Sequence, residues 1–315
     1  MHKTFLSVIG IVHQRSDYEQ LAYYLRQVYG VLVTHFTDFE IILVNNVPEW
    51  QLDKPLAEVD AVIKKHIYLL QLANRTNKNN AILAGLDRAN GDYAVIFEGL
   101  FQDKPELILE LYAKTQEKYD LVYLQAQERE GSFPLRVLYR IFYFILKRYS
   151  QLRIDERAHN TRIISRRALN SVLRLRENLR YMKAVYSIVG YRTTALATDQ
   201  ALPTDESLNE RFRTALVAIT SYTTFLRSLM LWIFLISVLF LAGVTINALK
   251  VKFTQKDIFG NFAVADPGWT FLVILIAVFF AVTTLNLYII SIYLSNIYTE
   301  MKQRPPYIIE SVQRF

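Results

Sequence analysis

Cysteine is absent from all 315 residues. That excludes disulfides, thiolate zinc sites and thiol catalysis, and it is compatible with a reducing compartment. A basic run of the nucleic-acid-binding kind is also missing, so the net charge of +7 points to anionic lipid headgroups rather than to nucleic acid. No signal-peptide pattern opens the chain. The apolar run Phe5 to Val12 is short and leads straight into Gln14 and Arg15, so the first domain is expected on the side of the membrane where it is made.

Charge is missing in a third sense. From Trp269 to Tyr293 there is none, and from Phe225 to Leu249 Arg227 is the only charged residue. Roughly 20 apolar residues cross a bilayer at a rise of about 1.5 Å each, so these runs are expected to be two transmembrane helices, with a buried core helix as the bland alternative. They explain how a chain with 21% charged residues reaches 52% hydrophobic content and a mean hydropathy of +0.15. Arg211, Arg213 and Arg227 lead into the first run, and Lys302, Arg304 and Arg314 follow the second. Between them, Lys250, Lys252 and Lys256 are offset by Asp257 and Asp266. The positive-inside bias therefore favours both termini in the cytoplasm, in a multi-pass protein of the cytoplasmic membrane.

The expected organisation is a globular domain over 1–205, a juxtamembrane amphipathic helix over 206–224 and spans over 225–249 and 269–295. An extracytoplasmic loop over 250–268 and a cytoplasmic tail over 296–315 complete it. Within the globular part, 136–152 places Leu138, Ile141, Phe142, Ile145 and Leu146 on one stripe flanked by Arg136, Arg140, Lys147 and Arg148. That composition fits a helix lying in the headgroup plane; a helix packed on its own domain is the alternative.

Before residue 125 the pattern alternates. Phe5 to Val12, Phe39 to Val44, Ile67 to Leu72, Tyr93 to Phe97 and Leu121 to Leu124 read as strands. Asp17 to Tyr29, Asn79 to Ala89 and Pro105 to Tyr119 read as helices between them. Strands alternating with helices imply an α/β, Rossmann-like, mostly parallel sheet. Its ligand is then expected beyond the carboxyl ends of the strands, just after Val12, Val44 and Phe97.

Several ordered motifs resemble one family. Asn79-Asn80-Ala81-Ile82-Leu83-Ala84-Gly85-Leu86 with Ala89-Asn90-Gly91-Asp92 is similar to the helix and turn "A-x-x-x-G-x-x-x-A-x-G-D" of family 2 glycosyltransferases. Gln102-Asp103-Lys104-Pro105-Glu106 resembles their "L-Q-x-P-P-E", and Arg162 to Arg167 a further family segment. Tyr293 to Glu300, continuing through Arg304-Pro305 and Tyr307, resembles the ending "Y-I-G-R-I-Y-x-E-x-K-x-R-P-x-Y" of the polyprenyl-phosphate branch. The resemblance implies a GT-A fold, and transfer of a sugar, with inversion, from a nucleotide-sugar to undecaprenyl or dolichyl phosphate. It also implies Mg²⁺ or Mn²⁺, and a homo-oligomer or a partner membrane glycosyltransferase or flippase.

The motifs that carry chemistry in that family are altered. "P-V-Y-N-E" is replaced by Ile11-Val12-His13-Gln14-Arg15, "D-D-G-S" by Asn45-Asn46-Val47-Pro48, "D-A-D" by Glu98-Gly99-Leu100 and "S-K-Y" by Ser207-Leu208-Asn209. Carried across position by position, the resemblance implies donor binding by His13, Asn45, Asn46 and Glu98, and metal binding by Glu98 and Asp103. It places the acceptor carboxylate at Glu156 or Asp155, and lipid-phosphate binding at Arg129, Arg162 and Arg166. Two functions remain open: a transferase with a divergent donor site, or a catalytically inactive homologue serving as partner or scaffold in membrane glycan assembly. A channel or carrier is disfavoured, because the spans hold no buried charge and no broken helix.

Overall fold

The computed structural model describes residues 1–128, 133–175, 181–202, 208–256, 258–260, 268–302 and 304–315. The β-branched run at the N-terminus forms β1 (His2–Val12), followed by α1 (Arg15–Glu19) and α2 (Leu21–His35). Then come β2 (Phe36–Asn45), α3 (Asp53–Ala57), α4 (Ala61–Lys64), β3 (Ile67–Leu72), α5 (Lys78–Arg88) and β4 (Tyr93–Ile96). After α6 (Leu107–Gln116) and β5 (Leu121–Ala126) lie α7 (Phe133–Tyr149), β6 (Ala158–Ser165), α8 (Arg166–Arg174), α9 (Met182–Ile188) and β7 (Thr193–Thr198). The chain ends in α10 (Leu208–Tyr222), α11 (Phe225–Thr254), α12 (Trp269–Met301) and β8 (Ile309–Arg314).

Among the described residues one eight-stranded sheet has the order β7-β5-β6-β4-β1-β2-β3-β8. Strands β4, β1, β2 and β3 run parallel, β6 is inserted antiparallel between β4 and β5, and β8 closes the far edge antiparallel to β3. The central strands are apolar on both faces because both faces are covered. Leu6, Val8 and Leu43 pack with α2 and α6 residues such as Leu25, Val28 and Leu111. Ile9, Ile42 and Val44 pack on the other side with Ile82, Leu86, Leu169 and Val185 of α5, α8 and α9. This is the mostly parallel α/β architecture that the alternation implies.

The glycines of the α5 motif have packing reasons. A Cβ on Gly85 would collide with Ile9, and one on Gly91 would lie 2.7 Å from both the Phe5 carbonyl and the Ser7 amide nitrogen. The α5–β4 turn is thereby pressed against β1. Glu40 accepts from the Ser7 hydroxyl at 2.7 Å and from the Asn90 amide at 2.8 Å, and Asp92 accepts from the Phe5 amide at 3.0 Å.

Among the described residues two helices are long and apolar enough to cross a membrane: Phe225–Val251, with mean hydropathy 2.6, and Val278–Tyr298, with 1.8. They lie within α11 and α12. Helix α7 divides its surface between the two readings of its sequence. Tyr143 and Leu146 are buried with Ile154, Tyr181, Ala184 and Ala218, whereas Leu138, Ile141 and Phe144 on the other side are exposed.

Gly91→Ala is expected to destabilise the domain by about 1–3 kcal/mol, since backbone rather than a flexible side chain meets the added methyl. Thermal unfolding of the detergent-purified protein measures this, and an unchanged midpoint would mean that the turn can move away from β1.

Candidate active site

The carboxyl ends of β1, β2 and β4 bring together the residues expected at a donor site. Asn46 follows β2 and is fully buried. Its amide nitrogen lies 2.7 Å from His13 Nδ1 and donates to the Thr76 carbonyl at 2.8 Å, while its oxygen accepts from the Thr76 amide at 3.0 Å. Asn45, also buried, donates to the Trp50 carbonyl and to Gln71, each at 2.8 Å, and accepts from the Val47 amide at 3.1 Å. Both asparagines thus form the loop that follows β2. The His13 and Gln14 amides each donate to Asp17 at 3.0 Å, and burial raises Asp17 above the ordinary carboxylate range against those hydrogen bonds.

Glu98 stands at the end of β4 with its side chain 11% exposed. The Lys78 ammonium at the start of α5 meets Oε1 at 2.6 Å. The Asn160 side chain donates to Oε1 at 3.2 Å, and the Asn160 and Thr161 amides donate to Oε2 at 3.1 and 3.2 Å. The Thr161 hydroxyl reaches Oε2 at 3.4 Å and accepts from the Glu98 amide at 3.1 Å. Burial alone would raise the carboxyl pKa. The Lys78 charge and hydrogen bond, with His159 and Asn160, outweigh burial and hold it at about 2.

The tail after the second candidate span joins this cluster. Pro306 offers its carbonyl to Asn80 at 2.9 Å and to the Thr76 hydroxyl at 3.4 Å, and the Asn80 side chain also donates to that hydroxyl at 3.0 Å. A chain of hydrogen bonds thus runs from the tail through Thr76 to Asn46 and His13.

The donor set does not suit a hard divalent cation, which needs several oxygens with lone pairs to spare. Both Glu98 oxygens already accept from the chain's own donors. Leu100, two residues on, supplies no donor atom, and Asp103 accepts from the exposed Tyr23 hydroxyl at 3.0 Å instead of turning to Glu98. Among the described residues no group of three His, Cys, Asp or Glu is gathered for a metal. Glu98 and Asp103, expected as a metal-binding pair, are each held by a different neighbour.

The arginines need correction too. Arg162 is buried, donating to the Asn160 and His159 carbonyls at 3.0 and 2.6 Å, with its guanidinium 4.0 Å from the Tyr186 ring. It thereby holds the start of β6, where Asn160 lies, by its carbonyls. Arg166 donates to the Ala89 and Gly91 carbonyls, at the end of β4 opposite Glu98. Arg129 and Ser207 lie outside the described residues. Asp155 accepts from the Tyr123 hydroxyl at 2.9 Å, from Gln125 and from the Arg157 amide at 2.9 Å; these bonds and Lys183 outweigh burial and keep its pKa low. Glu156, in contrast, is 40% exposed and lies 3.8 Å from Lys147 of α7.

Lys78, Asp17, Asn160 and Thr161 are the site residues that sequence reasoning missed. Lys78 had a legible signal, a lone cation at the opening of the α5 motif. Asn160 and Thr161 had none, since only the insertion of β6 beside β4 brings them to Glu98.

Removal of Lys78 has a signed consequence. The folded pKa of Glu98 lies below the unfolded value of about 4.3. The group therefore contributes stability above that pH and loses it as pH falls toward 2. Lys78→Met strands the carboxylate, and is expected to cost about 3 kcal/mol near neutral pH. Burial should then raise the Glu98 pKa, so acidification from about pH 7 to 5 should stabilise the variant while leaving this contribution unchanged in the parent. Unfolding midpoints across that window test it, and parallel curves would show that Lys78 does not set the Glu98 charge.

The glycosyl transferase family 2 model matches residues 7–173. An uncharacterised glycosyltransferase of Synechocystis is 28% identical over 98% of this chain and 95% of its own length. A prophage bactoprenol glucosyl transferase homologue of Escherichia coli is 27% identical over 88% of this chain and 90% of its own. A bactoprenol glucosyl transferase of Shigella phage SfII is also 27% identical, over 88% of this chain and 89% of its own. Among solved structures, a Pyrobaculum calidifontis mannosyltransferase in complex with GDP-mannose and Mn²⁺ superposes with a TM-score of 0.42 at 15% identity, covering 68% of this chain and 62% of that one. With that model spanning both faces of the sheet from β1 to α8, the chain belongs to glycosyl transferase family 2.

Proposed function

We propose that the protein is a membrane-anchored transferase of the polyprenyl-phosphate type, moving a sugar from a nucleotide-sugar onto a lipid phosphate with inversion. The observation that carries this reading is the return of the chain from α12 to the sheet. Strand β8 pairs antiparallel with β3 from Leu72↔Ile309 to Tyr68↔Arg314, so the segment leaving the second candidate span passes beside the donor cluster at Pro306 before it runs back along the sheet edge. Relatives named bactoprenol glucosyl transferases that align along most of their length support the substrate class.

In this reading, a phosphate oxygen of the lipid attacks the anomeric carbon in line with the leaving group. The new C–O bond forms as the bond to the diphosphate breaks, and the nucleoside diphosphate departs with the electron pair. A phosphate monoester is already a good nucleophile, so Glu156, exposed beside Lys147, orients the acceptor more than it removes a proton. His13 and Asn46 border the nucleotide, and Asn45 shapes the loop beneath it. A cleft of about 810 Å³ between the end of α7, α10 and α12, lined by Thr220, Thr224, Tyr293 and Asn296 among others, receives the lipid.

The same β8 pairing supports a topology. The globular domain and the C-terminus share one side, α11 and α12 form a hairpin, and the 255–268 segment lies opposite. The exposed apolar faces of α11, including Trp232, Phe234 and Leu239, meet acyl chains, and Leu138, Ile141 and Phe144 of α7 dip into the interface. Tags at the two termini should respond alike to protease added to sealed inverted vesicles, and a tag within the loop should resist. Opposite behaviour of the termini would remove the hairpin.

One sequence feature favours a second reading, a non-catalytic partner of a membrane glycosyltransferase or flippase: Leu100 stands where the family pattern that the sequence resembles carries a second carboxylate. Release of nucleoside diphosphate by the detergent-purified protein decides between them, with undecaprenyl phosphate and a panel of UDP-, GDP- and dTDP-sugars. Lipid-dependent release is expected, and its absence beside a working relative would leave the partner reading.

A further inference from the structure

Glu98 and Leu100 present a charge problem with a visible solution. Where two carboxylates hold a divalent cation, minus two and plus two sum to zero. Here Leu100 removes one carboxylate, and the remaining Glu98 is matched by the single positive charge of Lys78 at 2.6 Å, again summing to zero. We propose that Lys78 takes the place of a divalent cation in this site, its ammonium supplying the positive charge that meets the diphosphate of a nucleotide donor. The proposal rests on the donor-site reading above and specifies how that site neutralises its ligand.

Three features support the assignment. First, Lys78 is positioned, not free-swinging: its side chain is 24% exposed, and Glu98, which fixes it, is itself held by the Asn160 and Thr161 amides of β6. An ammonium carries three N–H donors in a compact point charge, a form suited to phosphate oxygens. Second, Lys78 lies among the strand ends where a ligand of this fold sits. Its charge is felt at Asp17 beside His13, and at His159. Third, the coordination that a metal would require is taken up internally, as Glu98 accepts from four groups of the chain besides Lys78: the Asn160 side chain, the Asn160 and Thr161 amides and the Thr161 hydroxyl. Those bonds keep Glu98 ionised and anchor the lysine rather than leaving oxygens for a cation.

Binding of nucleoside diphosphates to the full-length protein in detergent tests this, by calorimetry with UDP, GDP and dTDP, in EDTA and again in Mn²⁺. Binding by one of them is expected to be equal in the two conditions, and electron paramagnetic resonance should find no protein-bound Mn²⁺. Lys78→Gln is expected to weaken binding about tenfold or more, and Lys78→Arg to retain most of it. Because Lys78→Gln strands a buried carboxylate, the double variant Lys78→Gln/Glu98→Gln, neutral at both positions, should show the same loss in a folded protein. Binding that requires Mn²⁺ would overturn the lysine's role and leave donor binding intact. Full affinity of the double variant in EDTA would also overturn it. No diphosphate bound in either condition would remove the donor site itself, and this inference with it.

Discussion

A carboxylate taken out of water must find positive charge and hydrogen bonds, or else give up its own charge. At the end of β4, Glu98 meets that demand by drawing on two elements that are distant in sequence. Lys78 comes from the start of α5, while Asn160 and Thr161 come from the antiparallel strand β6. The antiparallel insertion of β6 is what makes this possible. Its register sets Ile96 against Arg162, so the residues just before Arg162 fall opposite the end of β4. Arg162 then turns back onto the His159 and Asn160 carbonyls and stacks on Tyr186. The buried arginine thereby holds the shape of the backbone whose amides hold Glu98.

The sheet has two polar ends with different work. At the end where β4 begins, Glu40, Ser7, Asp92 and Arg166 bind the Ala89–Gly91 turn, and the close approach to β1 admits only glycine at 91. These contacts tie the turn to the backbone of β1 and to the Ser7 and Glu40 side chains of β1 and β2, which marks a structural clamp. At the end where β4 stops, polar groups converge from β1, β2, α5 and β6, and the chain's tail comes to lie against them. Arg166 on the clamp side is thus spent on folding, whereas Lys78 stands at the end where the polar groups converge.

The strand and helix alternation was legible because burial on both faces imposes apolar runs that periodicity detects, and β3 occupies the expected Ile67–Leu72. The candidate spans were legible for the same reason, as length and lack of charge are local properties. Strand β8 was not: IESVQR is short and largely exposed, and it is a strand only because the edge of β3 offers unpaired backbone groups. Site residues divided likewise. Positions defined by a strand end, such as His13, Asn46 and Glu98, followed from order along the chain. What each side chain does there depended on partners from elsewhere, so Arg162 and Arg166, matched by position alone, turned out to be bound to carbonyls.

Strand β8 also bears on how the proposed membrane anchor can matter to a site formed by the sheet. A helix that merely tethers a domain leaves the domain free to tilt. Here the tail returns along the β3 edge, Pro306 accepts from Asn80 and Thr76, and Tyr307 donates to Asp87 on α5 at 3.0 Å. On the other side of the domain, Thr224 at the start of α11 donates to the Tyr149 carbonyl at the end of α7, and Asn296 of α12 donates to Thr220 of α10. The two candidate spans are thus fastened to the domain at two separate places, which restrains the tilt that one attachment would permit. For the proposed transfer, such fastening would hold a water-soluble nucleotide and a lipid-embedded phosphate in a constant relative orientation, which is the requirement of an in-line displacement between them.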